Sequence, residues 1–228
     1  MKSMKYIRLL LKLVAGIILF TLLQVLITRF VPVYITPLMI IRLYEQYSED
    51  KPFRLHHKWV PLDSISPHLA NAVIASEDNL FLTHNGFDFT QIKKAIEESK
   101  KGERNRGAST ISQQTAKNVF LWPSRSWIRK GLEAYYTVLI EFVWGKRRIM
   151  EVYLNSIEMG DGIYGAQSVA QHHFNKQALK LSMSEAATIA ATLPNPIRMN
   201  SAKPGNYVVR RRGEILDLMN KIGNQELK

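Results

Sequence analysis

The sequence predicts an all-α body carried behind a single N-terminal transmembrane helix, and three observations point there. Leu13 to Thr28 is an apolar run broken only by Thr21, Gln24 and the terminal Thr28. From Ser66 onward nearly every segment has helix punctuation: a capping residue, apolar positions three or four apart, then a breaker. Sustained period-2 alternation is missing, and the pair Asn85-Gly86 has no apolar runs around it to make a hairpin.

The elements follow in chain order. Lys12 and Arg29 flank the apolar run and can snorkel, so the span reaches from about Ile7 to Phe30, close to the ~20 residues a bilayer core needs. The chain continues Arg29-Phe30-Val31-Pro32 with no small-x-small cleavage site, which favours an anchor over a cleaved signal peptide. Lys2, Lys5, Arg8 and Lys12 outnumber Arg29, so the positive-inside rule keeps the N-terminus in the cytoplasm and the body outside it. Thr36 and Pro37 open a helix running to Tyr47, lying either along the bilayer surface, the preferred reading, or on the domain. Ser48 to Lys58 reads as a polar linker. The organisation expected is therefore an anchor over 1–30, a membrane-proximal helix and linker over 31–59, and the body over 60–228.

Within the body, Ser66-Pro67 starts a helix toward Glu77, and Asp88 caps one ending near Lys101, before a Gly102–Gly107 loop. Ser109 is placed to cap the next helix, which Pro123 stops. Ser126 starts a long helix to Trp144 closed by Gly145, and Lys146 to Ile157 forms another. Ala166 to Phe174, Ser182 to Leu193 and Asn206 to Asn220 complete the set.

Composition sets limits on function. No cysteine is present, so disulfides and thiolate metal sites are excluded. The net charge is +12, and the five basic residues before Phe30 account for part of it, leaving 26 basic against 19 acidic residues. A basic body suggests an anionic partner, and a position outside the cytoplasm argues against nucleic acid.

Chemistry concentrates in two stretches. Glu77-Asp78 follows an apolar helix and stands near Phe81 and His84. A carboxylate desolvated by such neighbours has a raised pKa and can act as a general base; the bland alternative is a carboxylate bonded to a loop amide. Gly107 to Asn118 then packs together Ser109, Thr110, Ser112, Gln113, Gln114, Thr115, Lys117 and Asn118. So many hydrogen-bonding groups require a polar ligand or a buried polar network. Glu133, in Arg129-Lys130-Gly131-Leu132-Glu133, is either an exposed partner of Arg129 or a polar group in a cleft, and the first reading is preferred. Gly160-x-Gly162-x-x-Gly165 follows a helical segment, so a tight interhelical turn is expected, not a dinucleotide loop. His56-His57 and His172-His173 lack metal-ligand spacing, and Arg210-Arg211-Arg212 reads as a solvated or headgroup-facing stripe.

Taken in order, these segments resemble the family 51 glycosyltransferases, the peptidoglycan glycosyltransferases. The resemblance runs from roughly Val60 to Met219. The pattern E-D-x-x-F-x-x-H-x-G is met at Glu77, Asp78, Phe81, His84 and Gly86; G-[GA]-S-T-[IL]-[ST]-Q-Q-x-x-K-N is met from Gly107 to Asn118. R-K-x-x-E falls on Arg129, Lys130 and Glu133, and K-x-x-I-[LM]-E-x-Y-L-N on Lys146 through Asn155. The last pattern is similar to Ser184 through Pro196. Ala108 and His173 depart from residues common in relatives, without touching the chemistry.

The resemblance implies a lysozyme-like helical fold and polymerisation of lipid II into β-1,4-linked glycan strands, with undecaprenyl pyrophosphate leaving. It implies Glu77 as general base and Glu133 as a second catalytic carboxylate. Lys117, Arg125 and Lys130 would face the pyrophosphate, with Glu133 acting there directly or through magnesium or manganese. Asp78, Phe81, His84, Ser109, Thr110, Gln113, Gln114 and Asn118 would serve the substrate. No organic cofactor is implied. The partners implied are lipid II, the growing glycan chain, the membrane and other cell-wall synthesis or division proteins. The setting implied is a bacterial cytoplasmic (inner) membrane, and the chain length leaves no room for a transpeptidase domain. The rivals are a glycan-cleaving enzyme, which has no use for so many cations, and a silent scaffold, which has no need of Glu77 and Glu133.

Overall fold

The computed structural model describes residues 2–100 and 109–227. It divides into two compact units, Met1–Pro32 and Val33–Lys228. The first is one helix, α1 (Lys2–Phe30). At 1.5 Å per residue, Met4–Phe30 extends about 40 Å, enough to cross a hydrocarbon core with some tilt. Its polar interruptions are bonded along the helix itself: the Thr21 hydroxyl donates to the Ile18 carbonyl at 2.8 Å and that of Thr28 to Gln24 at 2.6 Å. Such internal satisfaction is what a helix in lipid requires.

The second unit is mostly helical. It contains α2 (Pro37–Ser48), α3 (Pro67–Glu77), α4 (Phe89–Lys100), α5 (Ile111–Phe120), α6 (Trp127–Ser156), α7 (Ala166–Phe174), α8 (Met183–Thr192) and α9 (Asn206–Ile222). Helix α3 is buried from Leu69 to Ala75, and the small Ala70, Ala72 and Ala75 let α8 and α9 approach it closely. Helix α8 meets it with the equally small Ala186, Ala187, Ala190 and Ala191. A helix buried on all sides is rigid, so Glu77 at its C-terminal end is delivered to a fixed place. The other pairing is α5 on α6, through Ile111, Ala116 and Val119 on one helix and Tyr136 and Ile140 on the other.

Helix α2 begins as expected: the Thr36 hydroxyl accepts the Met39 N–H. It packs on α5 with Met39 buried, so it belongs to the domain; Ile40, Tyr44 and Tyr47 stay exposed. Asp88 caps α4 by accepting the Gln91 N–H at 2.9 Å. In α6 the backbone turns out of helical geometry at Gly145, with φ of +74°, a conformation costly for any residue with a Cβ. The chain resumes as helix at once, so the two expected helices are the two arms of α6.

Three expectations are corrected. The cap of α5 is Thr110, not Ser109, in a capping box with Gln113. The glycine-rich stretch Gly160–Gly165 is no interhelical turn but the tip of a small hairpin, β2 (Glu158–Gly160) and β3 (Ile163–Tyr164). The supposed linker supplies its third strand, β1 (His56–His57), parallel to β3. Strands this short leave no visible alternation in sequence. The join is reinforced by Arg54 on Asp161 at 2.6 Å and by Asn155, whose side chain bonds both the N–H and the carbonyl of Val60. The expected Gly102–Gly107 loop lies outside the described residues, as do Gly107 and Ala108 of the second motif.

Candidate active site

Glu77 sits in the last turn of α3, where its carboxylate Oε2 accepts a hydrogen bond from Gln114 Nε2 at 3.0 Å. The other end of the Gln114 amide accepts from the Tyr153 hydroxyl at 3.2 Å. Tyr153 is fully buried, and its acceptor fixes which way the amide points, aiming the NH₂ at Glu77. Burial raises the Glu77 pKa above that of an ordinary glutamate; the Gln114 bond and the charges of Arg211 and Lys117 oppose the rise, and Asp78 adds to it. The carbonyl end of α3 acts in the raising direction too. Among the described residues no cation lies within 4.0 Å of this carboxylate.

Asp78 faces the other way. Its buried carboxylate accepts from His84 Nε2 at 2.9 Å and from the Ile111 N–H at 3.0 Å, the first amide of α5. The Gly86 N–H donates to His84 Nδ1 at 3.1 Å, so Nε2 carries the hydrogen that reaches Asp78. The Thr110 hydroxyl donates to the Gly86 carbonyl at 2.7 Å. Gly86 has φ of +90°, and a Cβ there would stand 2.7 Å from Thr137 Cγ2 on α6. Glycine is the residue that lets this turn, α5 and α6 meet.

Beneath it lies a second polar knot. The Ser112 hydroxyl donates to Glu141 Oε1 at 2.5 Å, Lys146 Nζ donates to the same oxygen at 2.6 Å, and Lys146 sits 4.6 Å from the centre of the buried Phe81 ring.

The cations gather around Glu133 on α6. Arg129 Nη1 donates to Glu133 Oε2 at 2.6 Å, and Lys130 Nζ to Oε1. The Glu133 side chain is only 3% exposed and that of Arg129 11%. Arg129 Nε also holds the Ser124 carbonyl at 2.6 Å, fixing the loop after α5. Lys130 reaches Ser109 at 3.4 Å. Lys117, on α5, feels Glu133 and Glu77 as well as Arg129 and Lys130; burial is the leading cause that lowers its pKa below an ordinary lysine's. Lys117, Asn118, Arg125 and Arg129 line one open cavity of about 520 Å³ with Leu121 and Trp122. The geometry is thus one desolvated carboxylate and one cation-rich cavity, joined by α5.

A family model described as Transglycosylase matches residues 45–220. The chain belongs to that family. It is 64% identical over 203 residues to a biosynthetic peptidoglycan transglycosylase of Bacteroides thetaiotaomicron, covering 89% of this chain and 82% of the relative. It is 53% identical over 193 residues to one from Bdellovibrio bacteriovorus, covering 85% and 77%, and 53% identical over 191 residues to one from Caulobacter vibrioides, covering 84% and 81%. The helical body is accordingly the lysozyme-like fold of the transglycosylases.

In this transglycosylase the structure sorts the residues that sequence grouped together. Lys117, Asn118 and Arg125 meet at the cavity, Gln114 joins α5 to Glu77, and Lys130 links Glu133 to Ser109. Asp78, His84, Thr110 and Gln113 make internal hydrogen bonds and Phe81 is fully buried; together they hold the end of α3 against the start of α5. Glu133 is the i,i+4 partner of Arg129 as expected, yet buried and not exposed. Sequence reasoning gave Tyr153, Glu141 and Lys146 no role, although a glutamate between Ile140 and Phe142, five residues before a lysine, is a signal for a buried pair. Arg211, partly exposed and paired with Glu214, also acts on Glu77 through its charge. Among the described residues no three His, Asp or Glu side chains come together as a metal site.

Proposed function

We propose that this enzyme polymerises lipid II into β-1,4-linked glycan strands for the bacterial cell wall, with Glu77 as general base. The observation that carries the reading is the Glu77 carboxylate, desolvated and oriented by Gln114, across α5 from a cavity rich in unneutralised positive charge. Glu77 takes the proton from the 4-hydroxyl of the acceptor sugar. That oxygen forms a bond to the anomeric carbon of the growing chain with inversion, the bond from that carbon to the pyrophosphate oxygen breaks, and undecaprenyl pyrophosphate leaves. A raised pKa matches the base to a hydroxyl proton near neutral pH. Lys117, Arg125 and Lys130 stabilise the charge growing on the leaving pyrophosphate, where fixed cations in a partly dehydrated cavity act strongly. Ser109, Gln114 and Asn118 supply hydrogen bonds to sugar and phosphate oxygens.

Glu133 serves as a positioning residue. Both of its oxygens are engaged by Arg129 and Lys130, and among the described residues it belongs to no cluster of three His, Asp or Glu side chains. That donor set does not fit a resident magnesium or manganese, because an ion would have to displace Lys130 from Glu133, its one carboxylate partner among the described residues. The cations themselves supply the positive charge. Helix α1 anchors the chain in the cytoplasmic membrane, with its basic N-terminus inside and the domain outside. That places enzyme, polyprenyl-linked substrate and product in one membrane, within reach of other wall-synthesis proteins.

The test is polymerisation of labelled lipid II by the detergent-solubilised full chain, as wild type and Glu77→Gln, each with and without magnesium. Polymer from the wild type and none from Glu77→Gln supports the reading. No polymer from either, with lipid II still bound, supports a scaffold instead.

A further inference from the structure

The cation-rich cavity has a fourth basic residue, contributed by the membrane-proximal helix. Arg42 and Leu38 of α2 form one wall of the cavity, facing Lys117, Arg125 and Arg129. The placement is firm, because α2 is capped by Thr36 and fastened through the buried Met39 to α5, the helix that carries Lys117. Arg42 and Lys117 therefore keep a fixed spacing.

The guanidinium of Arg42 is only partly satisfied. Nη1 donates to Glu45 Oε2 at 2.7 Å, one turn along the same helix, and about half of that glutamate side chain is exposed. Nε is buried but has no hydrogen-bond partner among the described residues; Glu158 Oε2 is the nearest carboxylate, at 3.6 Å, beyond bonding distance. A buried, unbonded N–H on a charged fork is costly, and an exposed i,i+3 pair holds the fork only weakly. Arg42 keeps two carboxylates within 4.0 Å, Glu45 and Glu158, the latter with its side chain 8% exposed, whereas among the described residues Lys117 and Arg125 have none. The cavity thus has more cationic donors than acceptors, while Leu38, Leu121 and Trp122 give it an apolar side. Such a combination suits an anion with several oxygens attached to a hydrocarbon.

We propose that Arg42 is a substrate-binding residue: it closes the cavity from the α2 side and donates its terminal nitrogens to the diphosphate of a polyprenyl-linked ligand. This rests on the glycosyltransferase reading above and adds the membrane-proximal helix to the substrate site. Binding draws the guanidinium from Glu45 and seats the first carbons of the lipid on Leu38 and Trp122. The planar fork of arginine suits two diphosphate oxygens in a way that a lysine ammonium does not.

The experiment uses the full chain in detergent, with farnesyl diphosphate as binding probe by calorimetry and labelled lipid II as substrate. Arg42→Gln is expected to weaken farnesyl diphosphate about tenfold and to raise KM for lipid II about tenfold, with kcat within about twofold of wild type. Arg42→Lys should recover part of the loss. Glu45→Gln, which frees the guanidinium, should bind the probe as well as wild type or better. The proposal is overturned if Arg42→Gln binds and turns over like wild type. It is also overturned if Glu45→Gln loses as much as Arg42→Gln, since the pair is then merely structural. Equal melting temperatures for the variants exclude a folding defect; should Arg42→Gln fail to fold, Arg42→Lys and Glu45→Gln decide the matter by the same criteria. A wild-type chain that polymerises lipid II while ignoring Arg42 sinks this inference alone. One that neither polymerises lipid II nor binds the diphosphate sinks the glycosyltransferase reading with it.

Discussion

Glu77 and Glu133 are the same side chain in opposite circumstances. Glu77 is met by a neutral amide, itself braced by a phenol, and cations act on it only from a distance. Glu133 is buried between an arginine and a lysine that use both of its oxygens. The first arrangement leaves a carboxylate hungry for a proton; the second leaves one whose two oxygens are both held by cations. Partners, not residue type or burial, decide which glutamate does chemistry and which organises others.

The contrast is open to attack, starting where the effect is largest. Glu77→Gln should lower kcat by about 10³-fold, the usual worth of a general base, without lowering the melting temperature, because it removes a desolvated charge and keeps an oxygen for Gln114. Steady-state polymerisation and thermal denaturation check both halves. Glu133→Gln should do the reverse, costing about 3 kcal/mol of stability by leaving buried Arg129 without its counter-charge, and raising KM more than it lowers kcat. Denaturant titration of the solubilised chain measures the first; a kcat loss as deep as that of Glu77→Gln would end the division of labour.

Smaller effects sharpen the account of the base. In the proposed mechanism Glu77 must be ionised, and its pKa is raised, so kcat/KM should begin to fall with acid at a higher pH than an ordinary glutamate would dictate. Lys117 is shifted down, so the alkaline limb should come at lower pH than for an ordinary lysine. Gln114→Ala removes a donor that favours the ionised base. The acidic limb should move further up, with roughly tenfold lower activity at neutral pH. Tyr153→Phe leaves the amide in place but frees it to turn. A loss of about threefold, with the acidic limb moving in the same direction, is the expected trace in a pH–rate profile.

The helical body, the anchor and the two reactive stretches were legible because each is written in local periodicity or in dense polar composition. Ser66-Pro67, Asp88 and Ser126 announce helices by chemistry that acts within one turn. The hairpin at Gly160 was not legible, since strands of two or three residues show no alternation and β1 pairs with β3 across a hundred residues of chain. In the site, Glu77 could be singled out by its surroundings in sequence. The internal bonds of Asp78, His84 and Thr110 could not, because they depend on which atoms meet after α3 and α5 come together. Arg211 and Arg42 were missed for the same reason: a basic residue looks alike on a wet surface and on a cavity wall until its neighbours are known.

Many of the bonds that hold this frame end on main-chain atoms. Asp78 grips the Ile111 N–H, Thr110 the Gly86 carbonyl, Arg129 the Ser124 carbonyl and Asn155 both polar groups of Val60. Every residue has a carbonyl and all but proline an N–H, so the gripped positions are nearly indifferent to the side chain they carry. Substitutions should therefore fall unevenly across each pair. Ser124 and Val60 can drift through many residue types while Arg129 and Asn155 cannot, and a deep mutational scan should show tolerant sites directly across from intolerant ones.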